Sequence, residues 1–178
     1  MKIKLLLTVF IAQLITGCSS VKIDDYANTT PNLDLFEYFN GNTKAWGIFQ
    51  DRNGALKRQF VVDIKGEISG NTLTLTEDFQ YADGEQSQRI WKITKTAPNQ
   101  FTGRANDVIG EASGTSSGAA LNWKYDLELP YGKSTIAVSF NDWMFLQPNN
   151  VLINRALVSK FGFRVGEVTL TFQKGNHL

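Results

Sequence analysis

Leu121-Asn122-Trp123-Lys124-Tyr125-Asp126-Leu127-Glu128-Leu129 sets an apolar side chain at every odd position and a polar one at every even position. On a helix those apolar groups would fall on two opposite sides, whereas on a strand they share one face, so the stretch reads as a half-buried β-strand. The same period runs outward in both directions. Leu56, Phe60, Val62 and Ile64 alternate with Lys57, Gln59, Asp63 and Lys65. Leu73, Leu75, Phe79 and Tyr81 alternate with Thr72, Thr74, Thr76, Asp78 and Gln80. Val168, Leu170 and Phe172 alternate with Glu167, Thr169, Thr171 and Gln173. Turn chemistry separates such segments at Asn53-Gly54, Asp83-Gly84, Pro130 to Lys133 and Pro148 to Asn150. The spacing predicts an all-β, antiparallel up-and-down barrel of about eight to ten strands, because short hairpins follow one another without the long connections of a Greek key. Helical period is confined to Leu33 to Phe39, a short N-terminal helical segment. Gly110 to Gly118 (GEASGTSSG) reads as a flexible loop at the barrel mouth.

The chain of 178 residues, 42% hydrophobic and 12% aromatic, has material for the core of one domain. It contains one cysteine, Cys18, and one histidine, His177. Those counts exclude a disulfide, a structural zinc site and a catalytic triad with an internal histidine. A formal charge of +1 supplies no basic stripe, so no nucleic-acid partner is expected, and neither a cofactor nor a metal is.

The N-terminus reads as an address. Lys2 and Lys4 precede the apolar run Leu5 to Ala12, which is shorter than the roughly 20 residues that span a bilayer as a helix. Leu14-Ile15-Thr16-Gly17-Cys18 resembles a bacterial lipobox. Residues 1–17 are therefore expected to be a lipoprotein signal peptide, Cys18 the lipidated N-terminus and 18–32 a polar tether, with the barrel domain at 33–178. Ser19 after the cysteine favours outer-membrane anchoring on the periplasmic side. The expected protein is a monomer whose membrane contact is its lipid.

Alternation also shows which polar residues share the phase of the apolar ones. Glu77 is in phase with Leu75 and Phe79, and Arg89 with Trp91 and Ile93. A three-residue Asp83-Gly84-Glu85 loop makes Glu77 and Arg89 diagonal neighbours, with Tyr81 facing Ser87; a two-residue turn puts Gln88 and Ile90 beside Phe79 and Glu77 instead. Asp142 shares the phase of Phe140 and Met144, and Arg155 that of Ile153 and Leu157. A turn on Pro148-Asn149 sets Asp142 opposite Arg155 inside an apolar face, where each would need the other. Together with Tyr81, Trp91, Trp123 and Tyr125 these four form the candidate set of ligand-binding or buried polar residues, with arginine available to an anionic head group. Trp46, Phe60, Trp123 and Tyr125 taken singly are read as core. Asn141 to Leu146 (NDWMFL) is apolar on both faces, so Leu33 to Phe39 is expected to pack over Trp143 and Phe145.

Glu77-x-Phe79-x-Tyr81-x-Asp83-Gly84 with Arg89-x-Trp91, Asp107 to Gly118, Asn141-Asp142-Trp143-Met144 and Asn154-Arg155 leading to Phe161-Gly162 resemble the domain of unknown function 3833, a set of proteobacterial lipoproteins. The resemblance runs from about Tyr26 to Phe172, and departs from the family at Asn141, where an aspartate is expected. It implies a lipocalin-like barrel and a lipid as the substrate class, and it assigns no reaction. The expected function is an outer-membrane lipoprotein binding a fatty acid or another lipid inside the barrel. The alternatives are a lipid-modifying enzyme that uses Glu77 or Asp142 as acid or base, and a non-enzymatic envelope protein that docks a partner.

Overall fold

Ten strands succeed one another as antiparallel neighbours in a computed structural model that describes residues 21–132 and 134–175. They are β1 (Gly41–Asp51), β2 (Leu56–Ser69), β3 (Thr72–Tyr81), β4 (Gln86–Ala97), β5 (Gln100–Arg104), β6 (Val108–Ser117), β7 (Ala120–Tyr131), β8 (Ser134–Gln147), β9 (Val151–Lys160) and β10 (Phe163–Lys174). Pairing of β1 with β10, from Thr43 opposite Lys174 to Asp51 opposite Gly166, closes the sheet into an up-and-down barrel without edges. The residues expected to form the signal peptide, Cys18 and His177 lie outside the described residues.

One end of the barrel is plugged. The helix α1 (Leu35–Phe39) starts at Asp34, whose Oδ1 accepts from the amides of Phe36 and Glu37 at 2.9 and 3.0 Å. Its apolar side chains turn into the barrel: Phe36 stacks on Phe101, and Phe39 meets Phe172 edge-on. The Tyr38 hydroxyl donates to the carbonyl of Asn150 at 3.0 Å, which ties the plug to the turn between β8 and β9.

Packing of the chain begins ahead of Leu33. A 3₁₀ turn, Ile23–Tyr26, lies on β6 and β7, and the Tyr26 ring contacts Trp143 at 5.7 Å and Phe145 at 5.2 Å. The two-faced apolar segment of β8 is thus covered by the tether region, while Leu33 to Phe39 fills the barrel end; the expected assignment is corrected, since the apolar side chains of α1 join the interior core instead. Trp46 is also reassigned. It stands on the outer face of β1 and is 48% exposed, since Ala45 and Gly47 take the inward phase there.

The expected loop at Gly110 to Gly118 is strand β6 for most of its length. Its small residues make room for a large neighbour. A Cβ added at Gly114 would lie 2.2 Å from Trp123, and one added at Gly103 would lie 2.7 Å from the other end of the same ring. Trp123, 4% exposed, is clasped by two strands that have no side chain at those points. Low complexity here records close packing of an indole against backbone rather than a lack of structure.

Candidate functional site

A cavity of about 400 Å³ occupies the barrel between α1 and the hairpin turns at the opposite end. Toward α1 its wall is apolar, with Leu35, Phe39, Ile64, Leu75, Leu121 and Phe172. Toward the other end it is lined by Phe49, Phe60, Phe79, Tyr81, Leu129 and Phe140, and Arg58 lies over the Tyr81 ring at 3.6 Å. Between these apolar zones runs a polar belt: Glu77 on β3, Arg89 on β4, Tyr125 on β7, Asp142 on β8 and Asn154 on β9. Each occupies an inward position of an otherwise apolar strand face, so the belt is written into the alternation of the strands.

Glu77 stands directly opposite Arg89 in the β3–β4 register, with Phe79 opposite Ser87 and Leu75 opposite Trp91. Their shared face matches the expectation, but neither of the two expected registers holds. The hairpin loop is Ala82-Asp83-Gly84, closed by the Tyr81 amide donating to the Glu85 carbonyl at 2.9 Å. This loop sits one residue earlier than expected, with Gly84 at positive φ, and turns the diagonal pair into a facing one.

Arg89 is already engaged. Its Nε donates to both carboxylate oxygens of Asp107 at 3.1 and 3.0 Å, and Nη2 donates to Oδ2 at 2.6 Å. Asp107 comes from the turn between β5 and β6, which lies against the barrel wall. Burial works against the guanidinium charge, but Glu77, Tyr125 and Asp107 outweigh it and hold Arg89 protonated. Burial raises the Glu77 carboxyl to about 7; Arg89 opposes that rise and Asp107 adds to it.

Asp142 is 4% exposed, and Oδ2 accepts from the Tyr125 hydroxyl at 3.3 Å. Burial lifts its carboxyl to about 7, against the Tyr125 and Asn154 neighbours and Arg89, while Glu77 adds to the rise. The Tyr125 phenol is pushed well above its ordinary value, first by burial and then by Asp142. Asn154, 2% exposed, is close enough to favour the Asp142 charge, yet no hydrogen bond of good geometry reaches Asp142 Oδ1 or Asn154 Oδ1. Among the described residues no group of three His, Cys, Asp or Glu side chains is placed to hold a metal ion.

The expected Asp142–Arg155 pair does not form. Three residues, Pro148–Asn150, connect β8 to β9, with Asn149 and Asn150 both at positive φ, so Gln147 pairs with Val151 and Asp142 with Ala156. The one-residue slip turns the whole strand over: Leu152, Asn154, Ala156 and Val158 point inward, and Ile153, Arg155 and Leu157 point out. Arg155 instead bridges Glu167 on the outer surface at 2.8 Å. Of the eight expected polar and aromatic site residues, Glu77, Tyr81, Arg89, Trp91, Trp123, Tyr125 and Asp142 line the cavity and Arg155 does not. Asn154 was hidden by the slipped register, and Asp107 by its place in a turn, where alternation carries no signal.

The fold compares with known structures as a lipocalin-like barrel. The S-type phycobiliprotein lyase from Guillardia theta is similar over 81% of this chain and 92% of its own, with a TM-score of 0.57 at 8% identity. A search of curated proteins found no match. The family model described as protein of unknown function DUF3833 covers residues 12–174, from the apolar N-terminal run to the end of β10, and the chain belongs to that family.

Proposed function

We propose that this protein binds an elongated apolar molecule, such as a lipid acyl chain, inside the barrel. One observation carries the reading: the interior is a hollow of about 400 Å³ with apolar walls on both sides of a small set of polar groups, the usual composition of a small-molecule site. A structural barrel of this width could have been filled by its own side chains. A lipid attached at Cys18 and an outer-membrane, periplasmic location complete the proposal; the pattern of residues 1–18 supports them. Because Ile23–Tyr26 packs beside Gly118 at the plugged end, such an anchor would hold the barrel by α1 and leave the Arg58–Tyr81 end facing away from that membrane.

A neutral apolar dye, N-phenyl-naphthylamine, tests the site. The protein is expected to bind it with a rise in fluorescence. Met144→Trp, which fills the middle of the cavity from β8, is expected to weaken binding by about tenfold or more while the melting transition stays cooperative. Equal binding by this variant would place the dye elsewhere and remove the cavity as the site.

A further inference from the structure

Resting on the cavity as a binding site, we propose that its ligand carries a hydrogen-bond donor without negative charge, a hydroxyl or a protonated amine, which docks on Asp142 and Asn154 within the polar belt. The barrel then selects alcohols and amines over carboxylates with the same chain.

Charge balance and hydrogen bonding lead separately to this conclusion. Glu77, Asp107 and Asp142 gather around one guanidinium, that of Arg89. Arg89 already donates through Nε and Nη2 to Asp107 and faces Glu77 across the strand pair, so its positive charge is matched by carboxylates of the chain itself. A further buried anion would meet a surplus of acid in a site of low dielectric. The unmet capacity is of the other kind: Asn154 lies near enough to favour the Asp142 charge, but no hydrogen bond of good geometry reaches the buried Asp142 Oδ1 or Asn154 Oδ1, on side chains that line the cavity. Buried polar atoms in folded proteins nearly always have partners. A ligand hydroxyl supplies a donor to one of them, whereas a protonated amine can reach both and adds a counter-charge for Asp142. On this proposal the head group meets Asp142 and Asn154 rather than an arginine, Arg89 being paired with Asp107 and Arg155 lying outside.

The test uses the full chain with N-phenyl-naphthylamine bound, displaced by dodecanol, dodecylamine or dodecanoate at neutral pH. The alcohol and the amine are expected to displace the dye at concentrations about tenfold or more below the carboxylate, the worth of one hydrogen bond to a charged group. Asp142→Asn keeps the shape and an acceptor but removes the charge; it is expected to weaken the amine by about tenfold and the alcohol by less, so that the amine loses its advantage over the alcohol. Dodecanoate binding as well as or better than the other two overturns the inference while leaving the cavity as a binding site, and so does an amine affinity indifferent to Asp142→Asn. A protein that binds neither the dye nor any of the three overturns both.

Discussion

Arg89→Leu is expected to lower the stability of the barrel by about 2–3 kcal/mol, less than for a fully buried pair because the Arg89 and Asp107 side chains stay 22% and 32% exposed, read as a fall in the urea midpoint with an unchanged slope. The substitution strands carboxylates inside a low-dielectric wall. Glu77 loses the positive charge across from it, and Asp107 loses three hydrogen-bond contacts of 2.6–3.1 Å. Adding Glu77→Leu to that variant is expected to restore a large part of the loss, because an apolar pair of similar volume suits a wall already made of Leu75, Phe79 and Trp91. A loss below about 1 kcal/mol, the scale of an exposed ion pair, would mean that Arg89 is a surface residue and that the belt has been misplaced.

Stability should also fall as the pH rises from about 4 to 7, opposite to the usual behaviour of acidic side chains. Glu77 and Asp142 have ordinary values of 4.5 and 3.8 and are raised to about 7 in the folded barrel. Between those limits the unfolded chain releases protons that the folded one keeps, so unfolding gains until the folded carboxyls ionise. For Asp142 alone the loss is on the order of 4 kcal/mol. Arg89 and Tyr125, the other shifted groups of the belt, change charge well above this window. Asp51, Glu67 and Glu167 on the surface are held low, chiefly by hydrogen bonds from Lys57, Lys65 and Arg155, and their support is withdrawn only in stronger acid. Maximum stability therefore falls near pH 4, and Asp142→Asn is expected to flatten the decline above it. Thermal melts from pH 4 to 9 check this; stability that climbs through pH 7 would contradict the burial of both carboxyls.

The barrel was legible because period-2 patterning survives in the strands that carry it, as in Leu121 to Leu129, and because each connection is short. Where patterning weakened, the reading weakened too. In β6 the residues from Gly110 to Ser117 are too small to show an inward face, although Trp123 depends on their smallness. The inward placement of Glu77, Arg89 and Asp142 followed from phase alone. Opposition across a hairpin followed from turn length, and composition does not state whether Pro148-Asn149 or Pro148-Asn149-Asn150 makes the turn. That one residue decided whether Arg155 or Asn154 faces the cavity. Asp107 needed the third dimension, since its turn brings it to a strand eighteen residues away in sequence.

The central claim is that the barrel is hollow in order to be occupied. Native mass spectrometry of the protein isolated from the cells that make it, exchanged out of detergent and sprayed intact, tests it most directly. The account predicts a population heavier than the bare chain by one lipid-sized molecule, lost in the Met144→Trp variant and released as an alcohol or amine rather than as a free carboxylic acid. A spectrum of bare chain alone under conditions that preserve other lipid complexes, or an adduct that persists in Met144→Trp, would contradict it.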